Sequence, residues 1–116
     1  MPSLVYGGGG VFLKGVVTDP YDRRIPGCLV SVASTTFRSR PVFTNSAGYF
    51  EVVIPLVEGQ SSELNQPPLL EIYWNEEVLF RQPLIALHPV SADADWQHLL
   101  IEGGSVDLGS IRVGRR

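Results

Sequence analysis

From residue 11 to the end of the chain, short apolar runs alternate with polar residues at every second position and are separated by clusters of Gly, Pro, Asn, Asp and Ser. A period of two sends successive side chains to opposite faces of an extended backbone, so such runs predict half-buried strands. VFLKGVVT (11–18) is the first. CLVSVAST (28–35) is the second, with Cys28, Val30 and Val32 on one face and Leu29, Ser31 and Ala33 on the other. RPVFT (40–44) and YFEVVIP (49–55) flank Asn45, Ser46, Ala47 and Gly48, whose Asn and Gly accept turn and left-handed conformations, and the pair is read as a hairpin. Phe50, Val52 and Ile54 share the core face of its second arm. LLEIYWN (69–75) and EVLFRQPLI (77–85) follow as a strand pair, with Leu70, Ile72 and Trp74 alternating against Glu71 and Tyr73. Pro83 has no N–H to donate, so the second of these strands ends there or runs along a sheet edge.

Other segments are less regular. LVEGQSSELNQPP (56–68) has no period and reads as the longest loop, and ALHPVSADAD (86–95) reads as a connection. WQHLLIE (96–102) and SVDLGSIRV (105–113) are read as strands around a tight turn at Gly103 and Gly104. The competing reading is a helix over 91–100, capped by Ser91, with Trp96, Leu99 and Leu100 along one side. In the last strand Val106 and Leu108 share a face, and Ile111 and Val113 rejoin it if Gly109 makes a bulge. Seven or eight strands with little helix predict an all-β, antiparallel Greek-key β-sandwich. It occupies residues 11–113 as a single domain, after a lead-in over 1–10 that ends in four glycines and before a short tail over 114–116.

Composition narrows the function classes. With 44% hydrophobic and 18% charged residues the chain has the make-up of a folded domain. Nine basic against twelve acidic residues give a net charge of -3, and no like-charge run exceeds two residues, so neither nucleic acid nor an anionic membrane surface is an expected partner. No stretch approaches the roughly 18 apolar residues of a membrane span, and the N-terminus lacks a signal-peptide pattern. A complete chain of this kind is expected in the cytoplasm; for a domain excised from a longer protein that expectation lapses, and an extracytoplasmic place is open to it. Cys28 stands alone, which excludes an internal disulfide, and its place on the apolar face makes it an inert buried thiol.

The segments FLKGVVTDPYDRRIPGCLVSV and PVFTNSAGYFEVVIP, closed by DLGSIRV, resemble the carboxypeptidase regulatory-like domain, a transthyretin-like (prealbumin-like) and broadly immunoglobulin-like sandwich. The matching positions are Gly15, Val17, Asp19, Pro26, Gly27, Val30, Val32, Thr44, Asn45, Gly48 and Phe50; the sequence departs from the pattern at Ile25 and Cys28. The resemblance implies a non-catalytic accessory module without a cofactor, one that meets a protein partner or a neighbouring domain. Edge strands, the Pro83 strand among them, also offer a route to homo-oligomers.

Candidate catalytic and metal-binding residues are few. Intradiol-type dioxygenases share a similar opening pattern and bind iron through two tyrosines and two histidines. Here Tyr6, Tyr21, Tyr49, Tyr73, His88 and His98 are scattered without ligand spacing, so no metal site and no enzyme is expected. The histidine-bearing first strand and Tyr-Arg-Gly-Ser ending of the transthyretin-like 5-hydroxyisourate hydrolases are absent. Asp93 and Asp95, with Asp107 or Glu102, form at most a weak calcium pattern. A small carbohydrate- or ligand-binding domain is the alternative function, with Trp96 as the stacking residue. The exposed tip of the first turn, Tyr21, Asp22, Arg23 and Arg24, is the candidate contact for a partner.

Overall fold

Alternation decides the first strand and the fourth. In the computed structural model, which describes residues 10–34, 38–55 and 68–114, β1 (Gly10–Thr18) buries Val11, Leu13 and Val17, and β4 (Tyr49–Pro55) buries Phe50, Val52 and Ile54. Their intervening residues Phe12, Lys14, Glu51 and Val53 face outward. The remaining elements are β2 (Leu29–Ala33), β3 (Val42–Phe43), β5 (Leu69–Trp74), β6 (Glu77–Pro83), a 3-10 turn (Leu84–Ala86), β7 (Ser91–Ala92), α1 (Trp96–Glu102) and β8 (Gly104–Arg112). The lead-in over 1–9, most of the loop read at 56–68 and residues 115–116 lie outside the described residues.

Two four-stranded sheets face each other. The first has the order β4-β1-β8-β7 and the second β3-β2-β5-β6. Between them a single apolar core gathers Leu13, Val17, Val30, Phe50, Ile72, Leu84, Leu99, Val106 and their neighbours. The eight-stranded all-β sandwich is as expected, and β6 ends at Pro83 on a sheet edge. Among the described residues the pairing is antiparallel except between β1 and β8, which run parallel. The Gly109 bulge is present: the β1–β8 register shifts between Lys14 and Val16, Gly109 sits at φ 71°, and Val106, Leu108, Ile111 and Val113 are all buried.

Two local expectations fail. Residues 40–44 and 49–55 do not form a hairpin, because β3 pairs with β2 while β4 pairs with β1 in the other sheet. The connection is an arch between sheets. Asn45 Oδ1 accepts the backbone N–H groups of Ala47 (2.9 Å) and Tyr49 (3.0 Å), and the Gly48 carbonyl accepts from Val17 N at 2.8 Å, which ties the arch to β1. Residues 96–102 form a helix where a strand was expected. Asp95, not Ser91, is the N-cap, Leu99 is buried, and Gly103 ends the helix as its C-cap in place of a two-glycine hairpin turn. Spacing of Trp96, Leu99 and Leu100 at helical intervals lets this short segment cover the end of the core, where a strand would expose half of them. Among the described residues no helix is long and apolar enough to cross a membrane.

Candidate functional site

The outer face of the second sheet carries two adjacent cross-strand rows of different chemistry. Phe43 of β3 stands opposite Leu29 of β2, which stands opposite Tyr73 of β5. Side chains at these positions point away from the core because Val30, Val32, Leu70 and Ile72 occupy the inward phase. Phe43 is exposed, whereas Leu29 and Tyr73 are half-buried. Together with Gly27, Ser31, Arg38, Pro41, Asn75 and Glu76 they line a depression of about 620 Å³. Asn75 and Glu76 close one end through a tight left-handed turn between β5 and β6, with φ 53° and 72°.

The second row is Ser31, Glu71 and Arg81, set by the β2–β5 and β5–β6 registers. Alternation in LLEIYW marks Glu71 as an outward polar residue, yet its side chain is only 6% exposed. Three groups cover it. Arg38 Nη1 donates to Oε1 at 3.2 Å, the Tyr73 hydroxyl donates to Oε1 at 3.2 Å, and Arg81 Nε donates to Oε2 at 3.1 Å. Arg81 Nη2 also donates to the Tyr73 oxygen at 3.3 Å, and this bond, with the attraction of Glu71, raises the Arg81 pKa further. Both guanidinium groups are at least half exposed, so these pairs organise the face more than they stabilise the fold. Of these residues only Tyr73 is offered by the sequence, and there as a tyrosine without iron-ligand spacing; Phe43, Leu29, Arg38, Glu71 and Arg81 do not stand out as a site. Recognising that Arg81 falls opposite Glu71 requires the β5–β6 register.

The residues singled out from the sequence lie elsewhere. Asp19 Oδ1 accepts the N–H groups of Tyr21 (2.8 Å) and Arg23 (2.9 Å), and the Arg23 backbone bond holds the carboxyl below its usual range. The tip is open: Tyr21 is 79% exposed, Arg23 lies 5.4 Å from its ring centre, and Asp22, at φ 69°, has Arg112 at 3.7 Å. Arg23 and Arg24, with Asp19, Ile25, Pro26 and Trp74, line a second depression of about 430 Å³. Trp96 is half-buried against the core, and its Nε1–H donates to the Leu87 carbonyl at 3.0 Å. Cys28 is buried.

Of the acids in the calcium pattern, Asp93, Asp95 and Asp107 each serve the backbone, and Glu102 is the last residue of α1. Asp93 Oδ2 accepts from Ser105 N, Asp107 Oδ1 from Gly109 N, and Asp95 Oδ1 from His98 N at the helix start. Among the described residues no group of three His, Cys, Asp or Glu is arranged to hold a metal ion. Asp95 Oδ1 also meets His98 Nδ1 at 2.8 Å, raising the His98 pKa through that hydrogen bond and then through charge attraction. The Asp95 carboxyl is lowered, chiefly by the His98 N–H. His98 therefore contributes stability below its ordinary 6.5 that is lost as pH rises through the raised folded value. Asp95 contributes above its ordinary 3.8 and loses it as pH falls through the lowered folded value. Hydrogen exchange of the α1 amides is expected to be slowest, after correction for intrinsic rates, between 3.8 and 6.5. A flat profile, or no change in it on His98→Ala, would count against the pair.

No protein-family model matches the chain, and no curated protein does. Solved structures do. Catechol 1,2-dioxygenase from Acinetobacter sp. ADP1, inhibited by bound mercury, aligns with a TM-score of 0.51 at 14% identity over 92% of this chain and 53% of that one. The dioxygenase domain of a dioxygenase–carbohydrate-binding protein fusion from the cellulolytic bacterium Streptomyces sp. SirexAA-E aligns with a TM-score of 0.53 at 13% identity, over 97% of this chain and 84% of that one. The chain thus spans about half the length of the first neighbour. At such identities the likeness carries the fold: a dioxygenase-like sandwich, in place of the prealbumin-like and immunoglobulin-like topology and the carboxypeptidase regulatory-like relationship expected from the motifs. The expectation of a non-catalytic accessory module, and the outright exclusion of an enzyme, fall with that relationship, since both neighbours are dioxygenases.

The iron set of two tyrosines and two histidines does not fit the described residues. Tyr49, in phase with outward Glu51 and Val53, lies on the outer face of the first sheet. Tyr73 lies on the outer face of the second and is committed to Glu71 and Arg81. Tyr21 is at the tip of the first turn, His98 is paired with Asp95 on α1, and His88 is exposed in the connection before β7. Tyr6 lies outside the described residues.

Proposed function

We propose that the chain is a small-molecule-binding sandwich of the dioxygenase-like kind, holding a compact planar molecule in the depression of the second sheet. The observation that carries this reading is the Phe43, Leu29 and Tyr73 row beside a buried, fully engaged carboxylate. An apolar floor gives a planar ligand a surface to stack on, and a few fixed polar groups at its edge orient it. At about 620 Å³ the depression lies within the range of small-molecule pockets and leaves room beyond a single ring. The dioxygenase neighbours support a substrate as the ligand, and the name of one of them contains catechol, a single-ring molecule of suitable size.

Calorimetric titration with catechol tests it. Saturable binding is expected, weakened about tenfold in Phe43→Ala by loss of the ring contact and its buried area. Phe43 is 68% exposed, so this variant should keep its fold. Equal affinity in the variant, or no saturable binding, would count against the site, and oxygen uptake during the same titration separates a turned-over substrate from a ligand that is only held.

A further inference from the structure

We propose that Arg38 recognises an acidic head group at the sheet-two depression, that Glu71 is the positioning residue which fixes it there, and that the ligand is a compact planar monocarboxylate. This rests on the small-molecule reading above and adds the charge of the ligand to it.

The argument begins with an imbalance. Two guanidinium groups, Arg38 and Arg81, share the single Glu71 carboxylate. Arg81 uses Nε on Glu71 and Nη2 on the Tyr73 hydroxyl, so its donor edge is engaged. Arg38 gives only Nη1 to Glu71, and its Nε and Nη2 have no further partner among the described residues. Its side chain is 60% exposed and lines the depression. A planar guanidinium held at one corner and open along an edge suits a carboxylate, which it meets with two parallel hydrogen bonds.

Spacing supports the same occupant. The apolar row and the charged row are two residues apart along β2 and β5, or roughly 6–7 Å at strand rise. A ring stacked over Leu29, between Phe43 and Tyr73, brings a directly attached carboxylate within one hydrogen-bond length of the charged row. At the other end, beyond Trp74, the turn places Glu76 on the lining. A second acid on the ligand would meet that carboxylate, so one negative charge is accommodated and two are not. Glu71 acts through Arg38: without its carboxylate a long, solvated arginine has no fixed direction, and ordering it on binding would cost affinity.

The test compares benzoate with its neutral isostere benzamide on the full chain at low ionic strength, by calorimetry or chemical-shift titration. Benzoate is expected to bind at least about tenfold more tightly than benzamide. Arg38→Gln should remove that preference by weakening benzoate far more than benzamide, and Glu71→Gln should narrow it in the same sense. A role confined to folding would move both ligands together. Equal affinities in the unmodified protein, or a benzoate preference that survives Arg38→Gln, would overturn the inference and leave the small-molecule site standing. Absence of binding by benzoate, benzamide and catechol alike would overturn both.

Discussion

Phe50→Ala is expected to lower the unfolding free energy by about 3–5 kcal/mol, the range for removing a fully buried aromatic ring. Phe50 is 1% exposed and among the largest fully buried side chains. It belongs to β4 in the first sheet and reaches into the core shared with Val30 and Ile72 of the second. Its ring also lies against Gly15, where a Cβ would stand 3.1 Å from ring atoms Cε2 and Cζ. The space is therefore shaped from both sides, and truncation leaves a cavity that neighbouring backbone cannot readily fill. Urea unfolding should show a lower midpoint with an unchanged slope; a loss below about 1.5 kcal/mol would mean that the ring is not the core element described.

Gly48→Ala is expected to cost about 2–4 kcal/mol, combining the left-handed penalty for a residue with Cβ and the displacement of packed neighbours. Gly48 sits at φ 74°, and a Cβ there would stand 2.9 Å from the Val17 carbonyl oxygen and 3.0 Å from Arg24 Cβ. Both contacts fall where the arch between sheets is tied down, and Val17 N already donates to the Gly48 carbonyl. Gly27 provides the control: its φ is 77°, but a Cβ there meets nothing within 4 Å. Gly27→Ala should lose only the conformational part, about 1–2 kcal/mol. Equal losses at the two sites, measured in the same urea series, would show that crowding at the arch is not what demands glycine.

These two positions also show why the motifs led to the wrong relatives. Gly15, Asp19, Gly48 and Phe50 match a carboxypeptidase regulatory-like pattern because a strand, a capped turn, an arch and a core ring need those residue types in sandwiches of more than one family. Asp19 accepts from the turn it begins, Gly48 bends the chain between sheets, and Phe50 fills the core, all within a fold that has dioxygenases among its solved neighbours. Local physics was legible in them, and ancestry was not.

What the sequence by itself determined is whatever the chain settles over a few residues. The inward phase of β1 and β4, the end of β6 at Pro83, the bulge at Gly109 and the turn at Asp19 all follow from side-chain period and backbone preference. The tertiary structure alone decided the rest. Residues 45–48 are compatible with a hairpin, and only the pairing of β4 with β1 made them an arch. Residues 96–102 alternate well enough for a strand, and an N-cap at Asp95 with Leu99 buried in the core made them a helix. Glu71 reads as a solvated acid until Arg38, 33 positions away in the chain, and Arg81 across the strand pair close over it. The candidate site depends on contacts of this second kind, because a strand pattern specifies which way a side chain points, and only the folded sheet specifies what it meets.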